Sequence, residues 1–408
     1  MSRKIFLASK VIMLAVTLAF AGYQQAPAPA AAQAPASAPV AAGAIKIGHI
    51  RPLTGSMSMV GQRMVQAAQF AFEEANYQVA GKKVEVIVED DAGQPEMAID
   101  KVRKLVEKDK VALVIGPTTG GPLMAVSDFC NKVGMINIHT NPSPPGVIMQ
   151  KHRWTLQVGG AEPQLPSCMA RYSYEQLGVK KIIVISVDSA PGHGFLDAFT
   201  RTFKKLGGQV IQEQYAPIGT PDYAPYLAAA KDADACVSWF DGVSTISFLT
   251  QYEEMGLWKR MPIIPAFHGS FFVPFMVDRL PPKAAAPIFG RVVPTPYSSL
   301  LDTPINKKFV AAYVKRWQVT PDDSITQTYG GALLALTALK ATGGDTTPEK
   351  LRQALLDAQI EGPDGPIRFD KEKQSAIRNV YIAKIDKVAK ETVWTVVYTY
   401  KDVPPLGY

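Results

Sequence analysis

Four small residues, Thr118-Thr119-Gly120-Gly121, stand where an anion could be held. They follow the apolar run VALVIG and precede a segment of helical spacing, so they form a strand-to-helix turn. Free N–H groups at a helix N-terminus attract negative charge, the hydroxyls add donors, and the glycines leave the backbone open to close approach. A carboxylate suits this chemistry. A nucleotide phosphate does not, because no Gly-Lys-Ser/Thr closes the loop. A second loop, from Pro52 onward, joins a strand beginning at Ile45 to a helix beginning near Val60. It carries Ser56, Met57 and Ser58, which would form one wall of a cleft, with methionine as adaptable apolar surface. A third segment, Trp239-Phe240-Asp241, ends the strand ADACVSWF and adds aromatics and an acid at the cleft edge.

Other chemistries find little support. His49, His139, His152, His193 and His268 fall in no metal-ligand spacing, and no Gly-x-Ser-x-Gly elbow is present. No metal, cofactor or catalytic centre is therefore expected, and the chain is not expected to be an enzyme. Glu89-Asp90-Asp91 reads as a solvated strand end. Gly192-x-Gly194 opens like a dinucleotide fingerprint, but Asp197 takes the third glycine position and would repel a pyrophosphate. Cys130, Cys168 and Cys236 are odd in number and widely spaced, which suits buried apolar residues.

The elements that position these loops form two series. In the first, Ile45, Ile47 and Ile50 are expected on one face of an opening strand. A helix to about Tyr77, the strand KVEVIVED, a helix from Pro95, the buried strand VALVIG, another helix and the strand GMINIH follow. The second series restarts beyond Gln157 with KKIIVISVD, QVIQEQYAP, ADACVSWF and MPIIPAF separated by helices. Strand–helix alternation on this scale is a doubly wound α/β sheet. Two of them make an α/β protein of two Rossmann-like lobes with a hinge and a central cleft. RNVYIAKID and ETVWTVVYTY then read as a C-terminal hairpin.

Composition sets the class. With 408 residues, 47% hydrophobic and 19% charged, the chain is a globular protein of more than one domain. Three of its seven net positive charges, Arg3, Lys4 and Lys10, precede the apolar run VIMLAVTLAFAG, and no acid occurs before Glu73. The remainder is too mildly and diffusely basic for nucleic acid. Residues 1–22 have the basic end, short apolar core and small-x-small site of a cleavable signal peptide, which implies a periplasmic protein. Residues 23–44 are an Ala/Pro-rich disordered spacer.

IGHIRPLTGSMSMVG resembles the opening strand, Pro-Leu-Thr-Gly loop and following glycine of the type I periplasmic solute-binding proteins of ABC importers, in the leucine/isoleucine/valine-binding subgroup. IEGPDGPIRFD is similar to that family's last interlobe crossing. The resemblance implies a small-molecule ligand, an amino acid or organic acid, and a membrane permease as partners, with the protein monomeric. It places Thr118, Thr119, Gly120, Asn141 and Ser143 on the ligand carboxylate, and Phe240, Asp241 and His268 on the rest of the ligand. Two departures bear on the ligand. His268 stands where the amino-acid binders carry an acid for the ammonium, and Pro191 where they carry a tyrosine. A branched-chain or neutral amino acid and an apolar or aromatic acid are both open. The lobes are expected as 45–157 with 291–363, and 158–290 with 364–408. A ligand-sensing receptor of the same fold is the alternative, and a secreted hydrolase the third reading.

Overall fold

The computed structural model describes residues 43–142, 152–240, 242–268, 274–388 and 391–407. The expected signal peptide, and the spacer through residue 42, lie outside the described residues. Strands β1 (Ile45–Arg51), β3 (Lys82–Asp90), β4 (Leu113–Ile115), β5 (Asn137–His139) and β6 (Thr155–Gln157) run parallel in the order β3-β1-β4-β5-β6. The short β2 (Gln78–Val79) pairs antiparallel with β3. Helices α1 (Ser58–Glu74), α2 (Pro95–Lys104) and α3 (Gly120–Val133) return the chain between them.

One expectation about β1 is corrected. Ile45 and Ile47 enter the core that holds Phe70, Phe72 and Leu334, whereas Ile50 is buried on the opposite face with Ala98, Val102 and Val126. The period of a strand is 2, so the residues in phase with Ile45 and Ile47 are His49 and Arg51. Both are fully buried.

The second sheet is all parallel, β8-β7-β9-β10, from β7 (Lys181–Val187), β8 (Gln209–Ala216), β9 (Ala235–Ser238) and β10 (Ile263–Pro265). Its covering helices include α4 (Gln164–Glu175), α5 (Ala190–Lys205) and α6 (Gly242–Glu254). In β7, Ile183, Ile185 and Val187 pack with Phe248 and Trp258, while Ile182 and Val184 pack with Phe199 and Phe203. Burial on both faces is why its centre, Ile182–Ile185, reads as an unbroken apolar run.

The chain returns to the first core through α7 (Pro304–Trp317), α8 (Asp323–Ala341) and α9 (Pro348–Asp357), which contribute Phe309, Tyr313, Leu339 and Leu351. Four strands complete the fold beside β11 (Val292–Thr295): β12 (Gln359–Gly362), β13 (Gly365–Asp370), β14 (Ser375–Val388) and β15 (Glu391–Val403). Ile367, Phe369 and Ala376 belong to the first core, but Val380, Ile382 and Ile385 to the cores of the second sheet. The 363/364 boundary read from the sequence therefore cuts a paired hairpin, in which Gly362 faces Gly365. β11, grouped by sequence with the first lobe, pairs with the far half of β14 at Val293 and Ala383. A strand of fourteen residues is long enough to leave one lobe and build the other.

A buried polar cluster fastens this passage. The Arg378 Nη2 donates to Asp364 Oδ2 at 2.6 Å, and Nη1 donates to the Gly159 carbonyl at 3.2 Å. Gln164 Nε2 donates to the carbonyls of Ala376 and Val403. The first and last crossings are thus tied to each other.

Candidate functional site

Ligands of open α/β sheets bind where successive strands send their connections to opposite sides. In the first sheet that point lies between β1 and β4, and in the second between β7 and β9. Glycines let the backbone pack closely around the first of these points. A Cβ at Gly61 would lie 2.0 Å from the Pro52 carbonyl oxygen, and one at Gly116, with φ +127°, would lie 2.2 Å from that of Ile50. Side chains there would force these segments apart.

Between the lobes lies a cavity of about 910 Å³. Thr118, Gly120, Leu123, Met124, His139 and Pro142 line it from the first lobe. Glu162, Pro163, Ala190, Pro191 and Gly194 face them from the second. Behind Thr118 stands Arg51, whose guanidinium donates to Thr118 Oγ1 at 3.3 Å, Thr140 Oγ1 at 2.7 Å, His49 Nε2 at 2.9 Å and the Pro117 carbonyl at 3.3 Å. Burial holds Arg51 down to about 9, still charged at neutral pH. Burial, and then the Arg51 charge, push His139 down to about 3 and His49 well below its usual value, so both imidazoles are neutral. The first lobe presents the Thr118 hydroxyl and the N-terminus of α3, with the buried Arg51 charge behind them. The second presents charges of both signs, Glu162 and Asp197 with Arg201 and Lys205; among the described residues Glu162 forms no ion pair, and burial pushes its carboxyl up to about 7.

Residues 44–391 match the sequence model of the periplasmic binding proteins. The chain belongs to this family. Leu/Ile/Val-binding protein homolog 6 of Brucella melitensis is 25% identical over 356 residues, 86% of this chain and 90% of that protein. An ABC transporter substrate-binding protein from Sphaerobacter thermophilus is 31% identical with a TM-score of 0.82, covering 89% of this chain and all of that one. A solute-binding protein of an ABC transporter from Rhodopseudomonas palustris, solved with 3,4-dihydroxybenzoic acid, is 27% identical with a TM-score of 0.77 over 89% of this chain and 98% of that one. The two-lobed α/β fold and the ABC-importer class of solute-binding protein are thereby shown.

This periplasmic binding protein gathers only part of the residue set read from its sequence. Thr118 and Gly120 line the cavity, and Thr119, half-buried, caps α3 in extended conformation without a side-chain capping bond. Asn141 is half-buried beside Pro142, with its Oδ1 buried and unpartnered. Ser143 and Asp241 lie outside the described residues. Ser56 is exposed, while Met57 and Ser58 are half-buried at the start of α1, and none of the three is on the cavity wall. Phe240 departs from expectation. It is stacked on Phe248 at 4.2 Å and set edge-on to Tyr223 at 5.3 Å, inside the second lobe's core.

His268 departs in a different way. It follows β10 in the second lobe, is only 4% exposed, and its Nε2 lies 3.1 Å from Oδ2 of Asp323, the first residue of α8 in the first lobe. Burial by itself would raise the Asp323 carboxyl, but the charge and hydrogen bond of His268 hold it below its usual range. His268 is thus committed to an interlobe bond rather than to the cavity wall.

Arg51, His139 and Glu162 were missed. Arg51 and His49 were marked by the phase of the β1 alternation, which carries two polar residues onto a face begun by isoleucines. Glu162 gives no local signal, because it reaches the cavity only through the fold of the interlobe crossing before α4. Its raised pKa has a consequence. Between its usual 4.5 and about 7 the unfolded chain has lost this proton and the folded protein retains it, so its contribution to stability falls as pH rises through that window. Glu162→Gln should flatten this part of the pH profile, as read by urea unfolding at pH 5 and pH 7.5. An unchanged difference between the two would contradict the assignment.

Proposed function

We propose that this protein captures a small carboxylate-bearing ligand between its lobes and delivers it to the membrane permease of an ABC importer. It works in the periplasm as a monomer after removal of its leader. The observation that carries this reading is the first lobe's wall, where Thr118 and the α3 N-terminus are backed by the buried Arg51, while the facing wall carries Glu162 and Asp197 with Arg201 and Lys205. A carboxylate is favoured at the first wall by charge and by N–H and O–H donors. Leu123, Met124 and Pro191 suit an apolar body between the ends, and the volume is that of a small-molecule site. A branched-chain amino acid or a hydroxylated aromatic acid fits this description. The names of the relatives, a leucine/isoleucine/valine-binding homolog and a dihydroxybenzoic acid complex, support both.

A thermal-shift panel of L-leucine, L-valine, benzoate, 4-hydroxybenzoate and 3,4-dihydroxybenzoate tests the reading. Ligand at a hundred times its Kd adds about 2.7 kcal/mol, so at least one acid should raise Tm by about 3 °C or more. A panel in which every acid leaves Tm unchanged, while a sugar or a cation raises it, would refute the reading.

A further inference from the structure

We infer that Arg51 is the positioning residue that makes this cleft select an anion, acting through the Thr118 hydroxyl. The inference rests on the reading of the cleft as a carboxylate site. Arg51 is completely buried, and its hydrogen bonds all run to neutral acceptors: an imidazole nitrogen, a carbonyl and two threonine hydroxyls. No carboxylate lies within 4.0 Å of it among the described residues. Asp91 is the acid whose field reaches it, yet Asp91 Oδ2 is itself buried without a hydrogen-bond partner. A buried cation compensated only by neutral groups and a more distant acid attracts a further negative charge.

The hydrogen-bond direction makes the effect specific. An arginine can only donate, so Thr118 Oγ1 must accept from it and has its own proton to give. That proton is given to the thioether of Met64, 3.5 Å away, which is a weak acceptor. A carboxylate entering beside Thr118 is a far better one, and the bond is charge-assisted. Arg51 thus fixes Thr118 as a donor and supplies the field that favours an anionic acceptor. It need not touch the ligand. A purely structural strut between the ends of β1, β4 and β5 would stabilise the fold without distinguishing an acid from its amide.

The test uses matched acid and amide probes, 4-hydroxybenzoate with 4-hydroxybenzamide and L-leucine with L-leucinamide, titrated calorimetrically into the full protein. The wild type should prefer the acid of the bound pair by about a hundredfold, the scale of one or two charge-assisted bonds. Arg51→Met should cut that preference to below about tenfold, chiefly through the acid's Kd, while Arg51→Lys keeps most of it. If Arg51→Met weakens acid and amide equally, Arg51 is only a strut and the inference falls. Should Arg51→Met not fold, Thr118→Val carries the test. It removes the donor and leaves the cation, and an undiminished preference in it would overturn the inference. A wild type that binds neither acid refutes the reading of the cleft. A wild type that binds an acid with a preference indifferent to both variants refutes the role of Arg51 alone.

Discussion

Asp364→Ala should lower the stability of this protein by about 3–5 kcal/mol, the cost of stranding one member of a buried ion pair. Asp364 sits in the Gly-Pro-Asp-Gly turn between β12 and β13, and both it and Arg378 are within 2% of complete burial. Its carboxyl is pushed up by burial and drawn back by Arg378, so the pair is mutually dependent. With the carboxylate removed, the guanidinium retains the Gly159 carbonyl and loses its counter-charge. The effect is large because the pair stands where the chain passes between lobes, beside the bonds from Gln164 to Ala376 and Val403. Urea unfolding measures it. A loss below about 1 kcal/mol, typical of an exposed pair, would mean that this cluster does not hold the crossing.

The second large effect is on binding. Thr118→Ala combined with Ser143→Ala should weaken the natural ligand by about a hundredfold or more, since each charge-assisted hydrogen bond contributes about 1.5–3 kcal/mol. Thr118→Ala alone also leaves one Arg51 N–H without its acceptor. Thr118→Ser, which keeps the hydroxyl, should retain most of the affinity. Parental affinity in the double variant, measured by calorimetry, would refute the site assignment. A double variant no weaker than Thr118→Ala would remove Ser143 from the site.

The architecture was legible because its signals are local. Unbroken apolar runs such as Ile182–Ile185 mark strands buried on both faces, and glycines such as Gly61 and Gly116 mark places where backbone segments meet closely. The placing of Thr118 and Gly120 together on one cavity-lining loop was legible for the same reason, since they are neighbours at one helix start. What depends on contacts between distant segments was not. His268 meets Asp323 across 55 residues, and Arg378 meets Asp364 only because β13 and β14 are paired. Phe240 could have been core or cleft by type, and its stacking on Phe248 decides for core. The resemblance carried an acid site to position 268, where this chain has a histidine. The acids that line the cleft are Glu162, on the loop that enters α4, and Asp197 of α5.

The measurement closest to the central claim is a calorimetric titration of the purified protein with L-leucine, benzoate and 4-hydroxybenzoate, each beside its amide. A donor-bearing wall backed by a buried cation predicts one-to-one binding of at least one acid, with its amide weaker by about a hundredfold. Amides bound as tightly as their acids, or tight binding confined to neutral or cationic solutes, would contradict it.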